Sequence, residues 1–185
     1  MKRILSLLLC MILITGMQVT PAFAALEWPS NVSVEAEGAV LMDARSGAVI
    51  YGKNLHAVYY PASITKILTA LIVIEHCNLD DVVTFSHDAI YSVEQGSSSA
   101  GMEVGDQMTV RDCLYAMLLK SANEVANALA EHTAGSIQNF AVLMNAKARE
   151  LGCQESHFNN PSGLNDPQHY TSAYDMALIA QAAFQ

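Results

Sequence analysis

A chain of 185 residues with 9 basic and 18 acidic side chains, a formal net charge of −9, is poorly suited by charge to nucleic acid or to an anionic surface. Its hydrophobic share of 52% is ample for a packed core and excludes a disordered chain. The six histidines are scattered and no C-x-x-C pair occurs, so the sequence holds no pattern for a metal site and calls for no cofactor.

The first stretch reads as a targeting device. Lys2 and Arg3 precede an apolar run over 4–14 interrupted only by Ser6, and Ala22-Phe23-Ala24 places small residues where a signal peptidase reads. The run is short for a bilayer-spanning helix. The expectation is an exported protein with a signal peptide over 1–24, cleaved near Ala24 and taking Cys10 with it. Residues 25–185 are then about the size of one domain, and still more acidic. Three cysteines remain, Cys77, Cys113 and Cys153, allowing at most one internal bridge. Cys77 and Cys113 lie in apolar helical contexts and read as buried thiols, while the state of Cys153, beside Gly152, stays open.

Short β-type runs at 39–42 and 48–51, joined by Asp43-Ala44-Arg45-Ser46-Gly47, read as a hairpin. Pro61 opens a helix to about His76, with Asn78 as a stop. Ile64, Ile67, Leu68, Ala70, Leu71, Ile72, Val73 and Ile74 leave this helix almost no polar face, which predicts burial all round. A strand within 80–85 and a long loop over 92–105, broken at Gly96-Ser97-Ser98-Ser99, come next. Helices are predicted from Thr109 to about Lys120, from Ser121 to about Thr133, over 136–151 with Gly152 closing it, and over 173–184; 159–163 is a turn. The chain thus begins a small sheet and runs on through helices, and two strands alone make a marginal sheet.

Ser63 and Lys66 are i and i+3 at the start of the apolar helix, on one face. A serine hydroxyl needs a neighbour to take its proton, and a lysine supplies one if removal from water lowers its pKa toward neutrality. The helix start adds free amides where an oxyanion can rest. The bland alternative is an ordinary first-turn serine beside a lysine that snorkels to water. Context weighs against it, since a charged lysine in a buried helix costs several kcal/mol. Ser121-Ala122-Asn123 is a second candidate, Asn123 being able to hold a substrate amide. Here too an alternative stands, because Ser121 and Glu124 have the spacing of a capping box.

Pro61-Ala62-Ser63-Ile64-Thr65-Lys66 followed by Ser121-Ala122-Asn123 resembles the S-x-x-K and S-D-N motifs of the penicillin-recognising serine enzymes, with Ala122 in place of aspartate. Within that group, the stretches 101–106, 121–126, Phe158-Asn159-Asn160-Pro161-Ser162-Gly163-Leu164, and Tyr170-Thr171-Ser172-Ala173 with Asp175 are similar to the D-alanyl-D-alanine carboxypeptidases, over about 38–185. The resemblance implies an α/β (α+β) fold of the β-lactamase/transpeptidase type, helix-rich, with an N-terminal hairpin of an antiparallel sheet. It implies a serine peptidase that trims peptidoglycan stem peptides ending in D-Ala-D-Ala and is acylated by β-lactams. Ser63 would form the acyl-enzyme, Lys66 take its proton, Ser121 relay a proton to the leaving group and Asn123 bind the substrate amide. No cofactor is implied.

The family's third motif, Lys-Thr-Gly on a sheet strand, does not occur in the 185 residues. The expectation is therefore the first part of a longer protein, with later strands of the sheet missing and activity impaired. Family members also carry C-terminal elements for peripheral membrane association. The competing readings are a β-lactamase, for which 160–166 offers no convincing deacylating glutamate, and a non-catalytic β-lactam or peptidoglycan binding module.

Overall fold

The computed structural model describes residues 32–185, and the expected leader and Cys10 lie outside them. The hairpin forms as the pattern demands: β1 (Ala39–Met42) pairs antiparallel with β2 (Val49–Lys53), Ala39 opposite Lys53 and Val40 opposite Gly52. Its turn is held by Asp43, whose Oδ1 accepts from the Ser46 amide at 2.7 Å and the Ser46 hydroxyl at 2.6 Å, while Gly47 closes it at φ 71°.

Two short pairings go beyond the predicted elements and bring distant segments together. β3 (Val58–Tyr59) pairs with β6 (Thr171–Ser172), joining segments more than a hundred residues apart. β4 (Val82–Thr84), expected as a strand, pairs with β5 (Gln107–Thr109), so the intervening residues leave and return at one place. Two-residue strands carry no measurable period, which is why β3 and β6 are invisible to patterning.

Six α-helices occur among the described residues: α1 (Lys66–His76), α2 (His87–Tyr91), α3 (Val110–Leu119), α4 (Asn123–Ala134), α5 (Ile137–Glu150) and α6 (Ala173–Ala183). The bounds of α3, α4, α5 and α6 match the predicted ones closely, α1 ends where expected but begins at Lys66, five residues after Pro61, and α2 has no counterpart among the predicted elements. Pro61 opens a 3-10 turn, Ala62–Thr65, that leads into α1, and extended backbone at Cys77, ahead of Asn78, ends α1. Side-chain caps account for the starts of α2, α3, α5 and α6: Ser86, Thr109, Ser136 and Ser172 each accept the amide three residues on. α4 is different, since its N-cap is Ala122, which makes no side-chain cap bond.

The apolar core is shared by all the longer helices, with Leu68, Ile72, Val125, Leu129, Phe140 and Ile179 fully buried. One expectation needs correcting. α1 is not buried all round, because Ile74 is 57% exposed and Ile64, in the preceding turn, is also exposed. The enclosed helix is α4, in which Asn123 through Ala130 are all buried. Alanines at 126, 128 and 130 let neighbouring helices approach its backbone, and each of its buried polar side chains has a hydrogen-bond partner. Composition pointed to the wrong helix because apolarity reports what tolerates burial, while close approach depends on small side chains.

The three cysteines are free thiols. Cys113 is fully buried, as expected, and burial pushes its pKa up to about 12. Cys77 and Cys153 are half-buried. No helix among the described residues is long and apolar enough to cross a membrane.

Candidate active site

The 3-10 turn sets the first relation. Side chains at i and i+3 eclipse one another in this geometry, tighter than in an α-helix. Lys66 closes the turn that Ser63 opens, and its Nζ lies 3.3 Å from Ser63 Oγ. Ala62, just before Ser63, takes φ 50°. A left-handed conformation at a residue with a Cβ is held only where surrounding structure fixes it, and such residues gather at functional sites.

Ser121 is a second such residue, at φ 57°. The capping-box alternative fails here. Ser121 lies outside the N-cap, and its hydroxyl donates to Ser63 Oγ at 2.8 Å instead of capping α4. Glu124 turns away from the helix start as well. Its Oε1 accepts from Ser99 Oγ, the Ala100 amide and the Gly101 amide.

Lys66 is only 2% exposed, and its amine has three partners: Ser63 Oγ, Asn123 Oδ1 at 2.8 Å and the Ser162 carbonyl at 2.7 Å. Burial lowers its pKa to about 8, against an opposing pull from the Glu124 carboxylate. The two short bonds fix the nitrogen, and the longest of the three points at Ser63. When the amine gives up a proton, its lone pair therefore turns to the serine hydroxyl at least cost. Ser63, Lys66, Ser121 and Asn123, four residues singled out in the sequence, are thus brought into one network.

The turn at 159–163 supplies a wall that the sequence did not assign to Lys66. Asn160 Oδ1 accepts from the amides of Ser162 and Gly163, which aims the Ser162 carbonyl at the amine. Thr69 Oγ1 donates to the Pro161 carbonyl at 2.7 Å and fastens the same turn to α1. His169, 2% exposed, braces it from the other side. Its Nδ1 accepts the Asn159 amide at 3.0 Å, so the proton of the neutral ring sits on Nε2, which donates to Thr65 Oγ1 at 2.9 Å. No signal of period or spacing marks His169, which lies two residues before β6, the strand that pairs with β3.

Burial pushes the His169 pKa down to about 4 from 6.5. The unfolded chain therefore binds the extra proton first, and the stability this ring contributes is present above pH 6.5 and lost as pH falls through about 4. Wild-type protein should lose about 2 kcal/mol more than His169→Gln between these limits, allowing for partial solvent screening. Urea unfolding at pH 6.5 and 4.5 measures the difference, and equal slopes would contradict it.

Ser63 opens on a cleft of ≈430 Å³, lined by Tyr60, by Gly96, Ser97 and Ser98, and by Ser162 to Asp166. The carboxylate of Asp166 is engaged by Asn159 Nδ2 at 3.0 Å and the Gln168 amide at 2.7 Å. No group of three or more potential metal ligands occurs among the described residues. A larger apolar groove of ≈680 Å³ runs along β1 and α6, lined by Val40, Met42, Tyr59, Ile64, Met176 and Phe184.

This arrangement has the fold of the DD-carboxypeptidases and DD-transpeptidases. Penicillin binding protein 6B from Escherichia coli superposes with a TM-score of 0.80 at 32% identity, covering 86% of this chain and 53% of that one. A variant of the Streptomyces K15 DD-transpeptidase gives 0.77 at 31% identity, over 83% and 62%. In sequence, D-alanyl-D-alanine carboxypeptidase DacF of Bacillus subtilis is 39% identical over 98% of this chain and 47% of its own length. DacC of Escherichia coli is 36% identical over 87% and 42%. The family model for D-alanyl-D-alanine carboxypeptidase, peptidase S11, matches residues 25–185. The chain belongs to this family. It spans about half the length of the curated relatives it matches.

Proposed function

We propose that residues 25–185 form part of a serine-type D-Ala-D-Ala carboxypeptidase domain, with Ser63 as the nucleophile, and that the protein is exported after cleavage near Ala24. The observation that carries the reading is the buried Lys66 amine, held by Asn123 Oδ1 and the Ser162 carbonyl with its third contact on Ser63 Oγ. A solvated lysine would have no such acceptors and no reason for a lowered pKa.

In the proposed reaction, neutral Lys66 takes the Ser63 proton as Oγ bonds to the carbonyl carbon of the penultimate D-alanine. The carbonyl π pair moves to oxygen, and the opening amides of the 3-10 turn, with no acceptor inside it, face that charge. As the oxyanion collapses the C–N bond breaks. The leaving nitrogen takes its proton from Ser121, which is replenished from Lys66, and D-alanine departs. Water then hydrolyses the ester, returning Ser63. Asn123 serves both sides, its Oδ1 on Lys66 and its amide group toward the substrate. A β-lactam enters the same first step, its strained amide acylating Ser63.

The test is labelling with a fluorescent penicillin. The expected result is covalent label on Ser63, located by peptide mapping and lost in Ser63→Ala. A folded chain that takes no label would sink the enzymatic reading in favour of a non-catalytic binding module. Label that forms and leaves within seconds would favour a β-lactamase.

A further inference from the structure

Glu124 is not used by the chemistry above, and it does not cap its helix. Its carboxylate is 2% exposed, in the first turn of α4, beside Asn123. Oε1 collects three donors from one short stretch of loop: the Ala100 amide at 2.6 Å, Ser99 Oγ at 2.8 Å and the Gly101 amide at 3.2 Å. Oε2 is buried with no partner among the described residues. Burying a carboxylate this way is costly. The stretch it holds continues directly into the lining of the Ser63 cleft, to which Gly96, Ser97 and Ser98 contribute together with Ser162 and Gly163. A second bond links the same two elements, from the Asn123 amide to the Ser98 carbonyl at 2.9 Å.

We propose that Glu124 is a positioning residue for the Ser63 site, a latch that fastens residues 98–101 to α4 and so fixes the 96–98 wall of the cleft against Asn123. This rests on the reading of Ser63 as the acylated serine. Residues 85–106, which include α2, leave and re-enter the fold at the β4–β5 pair, and the Ser98 carbonyl and the Glu124 carboxylate tie the later part of the excursion to the residues around Lys66. Without the carboxylate, the Ala100 amide and the Ser99 hydroxyl lose their acceptor, the Gly101 amide keeps only Ser99 Oγ at 2.9 Å, and the Ser98 carbonyl is left as the direct bond from this stretch to the start of α4. The effect falls on how well a ligand is held, because Lys66, Ser63 and Ser121 keep one another's contacts.

The test compares wild type with Glu124→Ala, Glu124→Gln and Ser136→Ala in the full chain. Ser136→Ala removes the distant α5 cap and controls for general destabilisation. Two readouts are taken: amide exchange at Ala100 and Gly101, and penicillin acylation resolved into a saturating concentration and a limiting rate. In Glu124→Ala, protection at Ala100 should fall at least about tenfold and the saturating concentration rise about tenfold, with the limiting rate, taken on the alkaline plateau where Lys66 is neutral with or without the Glu124 charge, within about threefold. Glu124→Gln keeps one acceptor oxygen and should recover most of both. If Glu124→Ala behaves like Ser136→Ala in exchange and saturation, the latch is overturned. Should wild type take no label at all, the Ser63 reading fails, and exchange alone decides the latch. If Glu124→Ala does not fold, Ser99→Ala, which removes one of the three donors, should show about a threefold loss of protection at Ala100, whose amide bonds Glu124 and not Ser99. Unchanged protection there overturns the proposal.

Discussion

Lys66→Ala is expected to slow acylation of Ser63 by about a thousandfold in a protein that stays folded, the range typical of a lost general base. Two opposing effects keep the stability change modest. The substitution strips the Asn123 oxygen and the Ser162 carbonyl of their donor, yet it also removes a charge from a place where burial disfavours it. The pH profile separates base from bystander. With a pKa of about 8, roughly a tenth of wild-type molecules carry the neutral amine at pH 7, so acylation should rise nearly tenfold per pH unit below 8 and level off above it. Lys66→Ala loses that limb, and so does Lys66→Arg, whose guanidinium stays charged. Stopped-flow labelling between pH 5 and 10 measures all three. A wild-type rate flat across this range would mean that Lys66 does not titrate in the step.

The apolar patterning, the starts of α3, α5 and α6 and the hairpin turn were legible because each is written within a few residues, whereas the five-residue α2 is too short to show a period despite its Ser86 cap. Asp43 to Gly47 contains its own turn chemistry, and Ser136 or Thr109 declares a helix by spacing to the next acceptor-seeking amide. Ser63 and Lys66 were legible for the same reason, being one turn apart. Ser121 shows the limit of such reasoning. Its spacing to Glu124 is that of a capping box, but a left-handed backbone turns its hydroxyl to Ser63, and no local pattern reveals a positive φ at a serine. The wall of the site was harder still. Ser162 reaches Lys66 across 96 residues and His169 reaches Thr65 across 104, and both contacts depend on chain paths set by tertiary packing. The buried nature of α4 also lay outside composition, since its polar residues look like those of a surface helix until Glu124 and Asn127 are seen to be paired with the loop and with α2.

Gly163→Ala should be the most damaging single methyl group in the described structure, costing about 2–5 kcal/mol of stability. Two effects combine. Gly163 sits at φ 82°, where an L side chain is strained by about 1–2 kcal/mol. A Cβ there also overlaps the carbonyl of Ala62 and comes to 2.9 Å from Thr65 Oγ1. Ala62 is backbone, already in a left-handed conformation, and directly precedes Ser63, so it has little freedom to withdraw. Relief of such an overlap typically costs a further 1–3 kcal/mol or so. The turn must move instead, and it carries the Ser162 carbonyl away from Lys66. Gly135→Ala isolates the first effect, because Gly135 has φ 78° with nothing near its added methyl, and should cost only about 1 kcal/mol. Urea unfolding of the two variants gives the steric part by difference. Under conditions where Gly163→Ala remains folded, its penicillin labelling should still fall at least about tenfold, since the loss of one acceptor frees the amine from its place at Ser63. Equal stability of the two variants would show that the turn at 160–163 yields without strain, and unchanged labelling would show that Lys66 keeps its place without the Ser162 carbonyl.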